Sequence, residues 1–148
     1  MTPQELEEKL KTEIPLTRAL GFSVQDLSLE RALCTLPLAP NINHKQTLFG
    51  GSQYAGCALA CYSLFLFNVR SLKEVTNNIV VSKAEISYHK PAVGDVTIEA
   101  LWPGEEERSR FLKSLEKKGK ARVGLLARVK GDNDLLLSEF LGDFVVFT

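Results

Sequence analysis

One run of residues limits what this chain can fold into: Leu48 to Asn68, LFGGSQYAGCALACYSLFLFN. It opens on the doublet Gly50-Gly51, and no charged residue stands between Gly51 and Val69. Tyr54, Ala55, Cys57, Ala58, Leu59, Ala60, Cys61, Leu64, Phe65, Leu66 and Phe67 point in every direction of a helical wheel. A helix that is apolar all round is a buried one. The run is too long for a strand and rich in small residues, so it predicts a helix enclosed by a sheet. A membrane span is the competing reading. Ser52, Gln53, Ser63 and Asn68 interrupt the apolar content that a span needs over about twenty residues, and the buried helix is preferred.

The remaining segments supply that sheet. Thr2-Pro3-Gln4-Glu5 is a helix start: Thr2 caps, Pro3 suits the first helical position and Glu5 closes a capping box. Leu6, Leu10 and Ile14 form one stripe, Pro15 interrupts it, and a short helix from Leu16 to Leu20 stops at Gly21. Two strands with a turn near Leu27 to Glu30 fill Phe22 to Leu38, where Pro37 and Pro40 end them. Asn41 to Thr47 is a polar loop leading into the central helix. Val69 to Asn77 reads as a polar connection. Ile79 to His89 is the next strand, with Val80, Ser82, Ala84, Ile86 and Tyr88 on one face and Val81, Lys83, Glu85, Ser87 and His89 on the other.

After a turn at Lys90 to Asp95, Val96, Ile98, Ala100 and Trp102 mark another strand. Glu105 to Lys118 is a helix with acids in its first turn, lysines in its last and Gly119 as its stop. Alternation at Ala121, Val123, Leu125, Ala127 and Val129, then a Gly131–Asp134 turn, predicts a strand pair ending at Leu135 to Phe147. The order is helix, two strands, central helix, two strands, helix, two strands. That implies the α+β class, one domain over residues 1–148, with an antiparallel sheet curled around one helix.

Zero net charge argues against a nucleic-acid or anionic-membrane surface. Three cysteines, Cys34, Cys57 and Cys61, lack a disulfide-like spacing and fit a reducing compartment. The acidic, amphipathic start MTPQELEEKLK has no apolar signal core, so a cytoplasmic protein is expected. Nothing calls for a metal or another cofactor.

A Gly-Gly helix start after an asparagine-containing loop, followed by a strand ending Tyr88-x-Lys90-Pro91-Ala92-x-x-Gly94-Asp95, resembles the hot-dog-fold thioesterases. The stretch from Pro37 to Ser52, PLAPNINHKQTLFGGS, narrows this to the thioesterase domain found at the C-terminus of YiiD-type acetyltransferases. The resemblance covers nearly the whole chain. It implies hydrolysis of an acyl-CoA or acyl-carrier thioester. It also implies a homodimer whose sheets pair edge to edge, with acyl-CoA sites between the subunits; two dimers pairing further is an open alternative.

A thioester hydrolase needs donors for the carbonyl oxygen, an activated water and a slot for the acyl chain. The free amides of a helix N-terminus favour developing negative charge, and glycines let a carbonyl approach the backbone. Gly51 and Ser52 are therefore the expected oxyanion hole, with Gly50 and Phe49 beside the substrate. The plainer reading is that both glycines only allow close packing.

In phenylacetyl-CoA-type relatives the doublet is preceded by His and followed, within the helix, by a carboxylate. Here Phe49 takes the place of the His and Ala58 that of the carboxylate. Asn43 matches the loop asparagine of that pattern, and the resemblance implies a catalytic role for it in orienting a water or the thioester oxygen. His44 is the expected base, since imidazole accepts a proton near neutral pH; a solvated loop histidine is its alternative. Glu85 is a second candidate, set against an exposed pair with Lys83. His89 and Lys90 are candidate phosphate contacts, set against a solvated strand end. Lys117, Lys118, Lys120 and Arg122 are another phosphate option, set against helix-end lysines in water. Cys57 and Cys61 share a helix face and read as packing. A non-catalytic acyl-thioester binding module is the second functional reading, and a hydratase or dehydratase the third.

Overall fold

The computed structural model describes residues 1–70 and 78–147. Part of the expected connection from Val69 to Asn77 therefore lies outside the described residues. Helix α1 runs from Pro3 to Glu13 and α2 from Leu16 to Leu20. The N–H of Glu5 donates to Thr2 Oγ1 and that of Thr2 to Glu5 Oε2, each at 3.1 Å, completing the capping box. Gly21 ends α2 in the left-handed region, at φ 69°, which only glycine adopts without cost. Leu6 and Leu10 bury the inner stripe of α1. Glu7 ties its flank to the sheet by accepting from Ser23 Oγ and the N–H of Val24.

The strands are β1 (Ser23–Leu27), β2 (Arg31–Leu36), β3 (Ile79–Tyr88), β4 (Val96–Leu101), β5 (Lys120–Lys130) and β6 (Leu136–Phe147). They form one antiparallel sheet in the order β1-β2-β4-β5-β6-β3. Helix α3, Gly50–Arg70, is gripped by the curl of that sheet. This is the hot-dog arrangement. Small residues let helix and sheet approach: a Cβ on Gly56 would stand 2.7 Å from Ile98 Cδ1. At the far end of α3, Phe65 packs against Trp102, Phe111 and Phe144, with ring centroids 5.3 to 6.2 Å apart. Each such fully buried side chain contributes about 1.5–3 kcal/mol. Phe111 comes from α4, Glu105–Lys118, which closes this end of the curl.

Two features differ from the sequence expectation. The alternation in β3 is broken by a bulge: Val81 pairs with Phe144 and Lys83 with Asp143, leaving Ser82 as the extra residue. Residues facing each other across a ladder share a sheet face. So Ile79 and Val81, opposite Val146 and Phe144, share a sheet face with Ala84, Ile86 and Tyr88; Ile79 is buried there, while Val81 stays exposed at the sheet edge. Val80 lies on the other face. Nor is α3 enclosed all round. Gly51 and Tyr54 are exposed, and Ala55, Ala58 and Tyr62 half-buried, which leaves one open stripe at helical spacing.

Candidate active site

The chain enters α3 under tight backbone control. The N–H of Leu48 donates to Ala92 O at 2.8 Å and that of Phe49 to Asn41 O at 2.7 Å. The first helical bond runs from the N–H of Gln53 to Phe49 O, at 3.1 Å. The N–H groups of Gly50, Gly51 and Ser52 meet no acceptor among the described residues. Such orphan donors at a helix start carry the positive end of the macrodipole. Gly51 is exposed and Gly50 half-buried, so solvent reaches the doublet.

Three side chains hold this entrance. Tyr88, the last residue of β3, donates its hydroxyl to Gly50 O at 2.7 Å. Glycine makes the contact possible, since a Cβ at position 50 would stand 3.1 Å from the phenol ring. Burial raises the Tyr88 phenol above its ordinary pKa, keeping it a donor. Gln53, only 4% exposed, donates from Nε2 to Leu48 O at 3.2 Å and accepts at Oε1 from Ser138 Oγ at 2.6 Å. Sequence reasoning gave none of the three a role. The available signals were a long polar side chain in the first turn of an apolar helix and a serine inside an apolar strand.

Phe49 is 56% exposed and lays its ring beside Gly51, where a Cβ would come within 2.5 Å of it. Asn43 and His44 sit in a tight turn whose base is the isolated bridge between Ile42 and Leu48. Asn43 Oδ1 accepts from the N–H groups of Lys45 and Thr47, and its Nδ2 donates to Thr47 Oγ1, so the carboxamide braces its own turn. His44 is exposed beside it, with no side-chain partner among the described residues.

Glu85 pairs across strands with Leu141, on the face of β3 opposite to Tyr88. His89 lies 3.2 Å from Glu139, which also faces Arg128 at 3.7 Å. Lys90 is exposed. The structure thus groups Phe49, Gly50, Gly51, Ser52 and Tyr88, and it directs Glu85 away from them.

All three cysteines are buried and unpaired. Burial pushes the Cys57 thiol up to about 12 and raises Cys34 and Cys61 as well, which suppresses the thiolate a nucleophile requires. Arg122 lines a surface groove of about 500 Å³ with Arg110, Glu107 and Asp143. The groove lies against α4, at the Phe65 end of α3, roughly 20 Å along the helix from the doublet at ~1.5 Å per residue. Among the described residues no cluster of three or more His, Cys, Asp or Glu is placed to hold a metal. No described helix is long and apolar enough to cross a membrane.

A curled sheet around a helix that opens on free amides defines the class: a hot-dog domain of the thioesterase type. Residues 3–148 match the family described as "Putative thioesterase (yiiD_Cterm)", and the chain belongs to it. A protein of unknown function from Chlorobaculum tepidum TLS superposes with a TM-score of 0.90 at 28% identity, over 99% of this chain and 97% of that one. A "putative thioesterase" from Shewanella oneidensis superposes with a TM-score of 0.84 at 24% identity, over 99% and 97%. A thioesterase from Haemophilus influenzae shares 12% identity at a TM-score of 0.74, over 99% and 92%. The last two likenesses are of fold.

Proposed function

We propose that the protein hydrolyses the thioester of an acyl-CoA or an acyl-carrier protein, with the start of α3 as oxyanion hole. One observation carries the proposal: three successive N–H groups, at Gly50, Gly51 and Ser52, meet no acceptor among the described residues at a solvent-reached helix start. A tetrahedral oxyanion there gains hydrogen bonds that the ground state holds less well, which is how such donors lower a barrier. The Gly51 and Ser52 amides are the donors. Gly50 and Phe49 flank the substrate, and Tyr54, Ala55, Ala58 and Tyr62 offer the acyl group an uncharged path.

His44 is the base of this reading and Asn43 shapes the turn that presents it. His89 and Lys90 are the candidate phosphate contacts near the end of β3. Glu85 keeps a place only as a contact made through a partner subunit. That partner is a second copy, paired edge to edge along β3, the terminal strand of the sheet, where Val80 and Val81 are 48% and 45% exposed. A dimer of dimers is a further step in the same direction. Three unpaired cysteines support a reducing, cytoplasmic setting.

The test is thiol release from a panel of short, medium and aromatic acyl-CoAs. Turnover above the spontaneous rate, lost on His44→Ala, is expected; no turnover across the panel contradicts hydrolysis. The absence of any carboxylate between Gly51 and Val69 favours a second reading, a binding module without catalysis. Calorimetry separates the two, since the module binds an acyl-CoA tightly and leaves it intact.

A further inference from the structure

The amide of Ser52 is the last of the orphan donors at the start of α3. In a helix continued backwards by one residue, its acceptor would be Leu48 O, four positions earlier. That carbonyl is instead taken by a side chain from the next residue: Gln53 Nε2 donates to it at 3.2 Å. Gln53 is held in turn by Ser138, whose Oγ donates to Oε1 at 2.6 Å. Gln53 is 4% exposed and Ser138 fully buried, so both bear a desolvation cost that an apolar pair of the same shape would not. Leu48 is also fixed from its other side, through its N–H to Ala92 O and its bridge to Ile42.

We infer that Gln53 and Ser138 form a positioning pair that turns the Leu48 carbonyl aside and so keeps the Ser52 amide available to the substrate oxygen. The inference rests on the thioester reading for its purpose, but the hydrogen-bond exchange it describes stands apart from it. Neither residue touches the reacting atoms. Without Gln53 the Leu48 carbonyl is left with one donor fewer, and a helix extended backwards by one residue would offer it the Ser52 N–H. The helix then gains a residue's worth of backbone bonding and loses an oxyanion donor. Ser138 acts one step removed, by denying the Gln53 carboxamide any other rotamer.

The experiment combines amide hydrogen exchange by NMR with steady-state kinetics on the acyl-CoA panel, for the full chain, Gln53→Met and Ser138→Ala. Gln53→Met keeps the volume and removes both hydrogen bonds. In the wild-type chain the Ser52 amide exchanges freely while that of Gln53 is protected. In Gln53→Met, Ser52 gains roughly tenfold or more in protection. There kcat falls about tenfold to a hundredfold, less than or equal to the loss of a whole donor, with KM within about threefold. Ser138→Ala moves both readouts the same way by less, and it serves should Gln53→Met fail to fold. A Ser52 amide already protected in the wild-type chain, or unchanged in both variants, overturns the inference. If Ser52 gains protection but even the wild-type chain leaves every thioester intact, the thioester reading falls and the hydrogen-bond exchange stands.

Discussion

Gly51 has no side chain, and a Cβ there would lie 2.5 Å from the Phe49 ring. That ring is 56% exposed and free to swing outward. Gly51→Ala should therefore alter unfolding free energy by less than about 1 kcal/mol, while crowding the approach to the amide and cutting turnover about tenfold or more. Thermal melting and kinetics on one preparation check both halves; an active Gly51→Ala chain contradicts the assignment. Tyr88→Phe deletes the bond to Gly50 O and should cost up to about 1 kcal/mol in a denaturant titration. At this scale the sequence was partly readable. The doublet stood out as two glycines opening an uncharged helix, a pattern that fits the approach of a substrate and close packing alike. The roles of Tyr88, Gln53 and Ser138 were hidden, because they depend on which carbonyls lie opposite after folding. Asn43 was visible as a loop residue, but its engagement with Lys45 and Thr47 within the turn is a product of backbone geometry.

At the scale of elements, α3 carries two buried thiols, and Cys34 of β2 adds a third. Burial raises all three, Cys57 to about 12. The folded state thus favours the neutral thiol. Its contribution to stability is complete below the ordinary thiol value of 9.0 and is lost as pH rises beyond it, since the unfolded chain ionises first. Each thiol should remove about 1.4 kcal/mol per pH unit above that point. Unfolding free energies measured from pH 7 to 11 should fall in that way, and Cys57→Ala should flatten the slope; a flat profile contradicts the burial of the trio. Element order was legible throughout, because capping, helical stripes and strand alternation each have a local signature. The bulge at Ser82 was not: one extra residue among Val80, Val81 and Ser82 leaves the pattern plausible in either register. The open stripe of α3 escaped for a related reason. Composition says that a helix is apolar, but only the spread of the sheet decides which flank it leaves bare.

The molecule as a whole ends its sheet on β3, a ten-residue strand bonded on one side only. A long unpaired strand edge is a template for pairing, and Val80 and Val81 give this one an exposed apolar stretch. Sedimentation at micromolar concentration should give twice the 16.4 kDa of one chain. Val80→Lys with Val81→Lys should shift the species toward the monomer, and a wild-type monomer contradicts edge pairing. The curled sheet, its central helix and α4 at one end leave the other end of α3 as the place where free backbone donors meet solvent. The most direct test is a crystal structure with a non-hydrolysable ketone analogue of an acyl-CoA. The account predicts the ketone oxygen about 2.7–3.1 Å from the amide nitrogen of Gly51 or Ser52; the analogue bound elsewhere, with those amides facing only solvent, contradicts it.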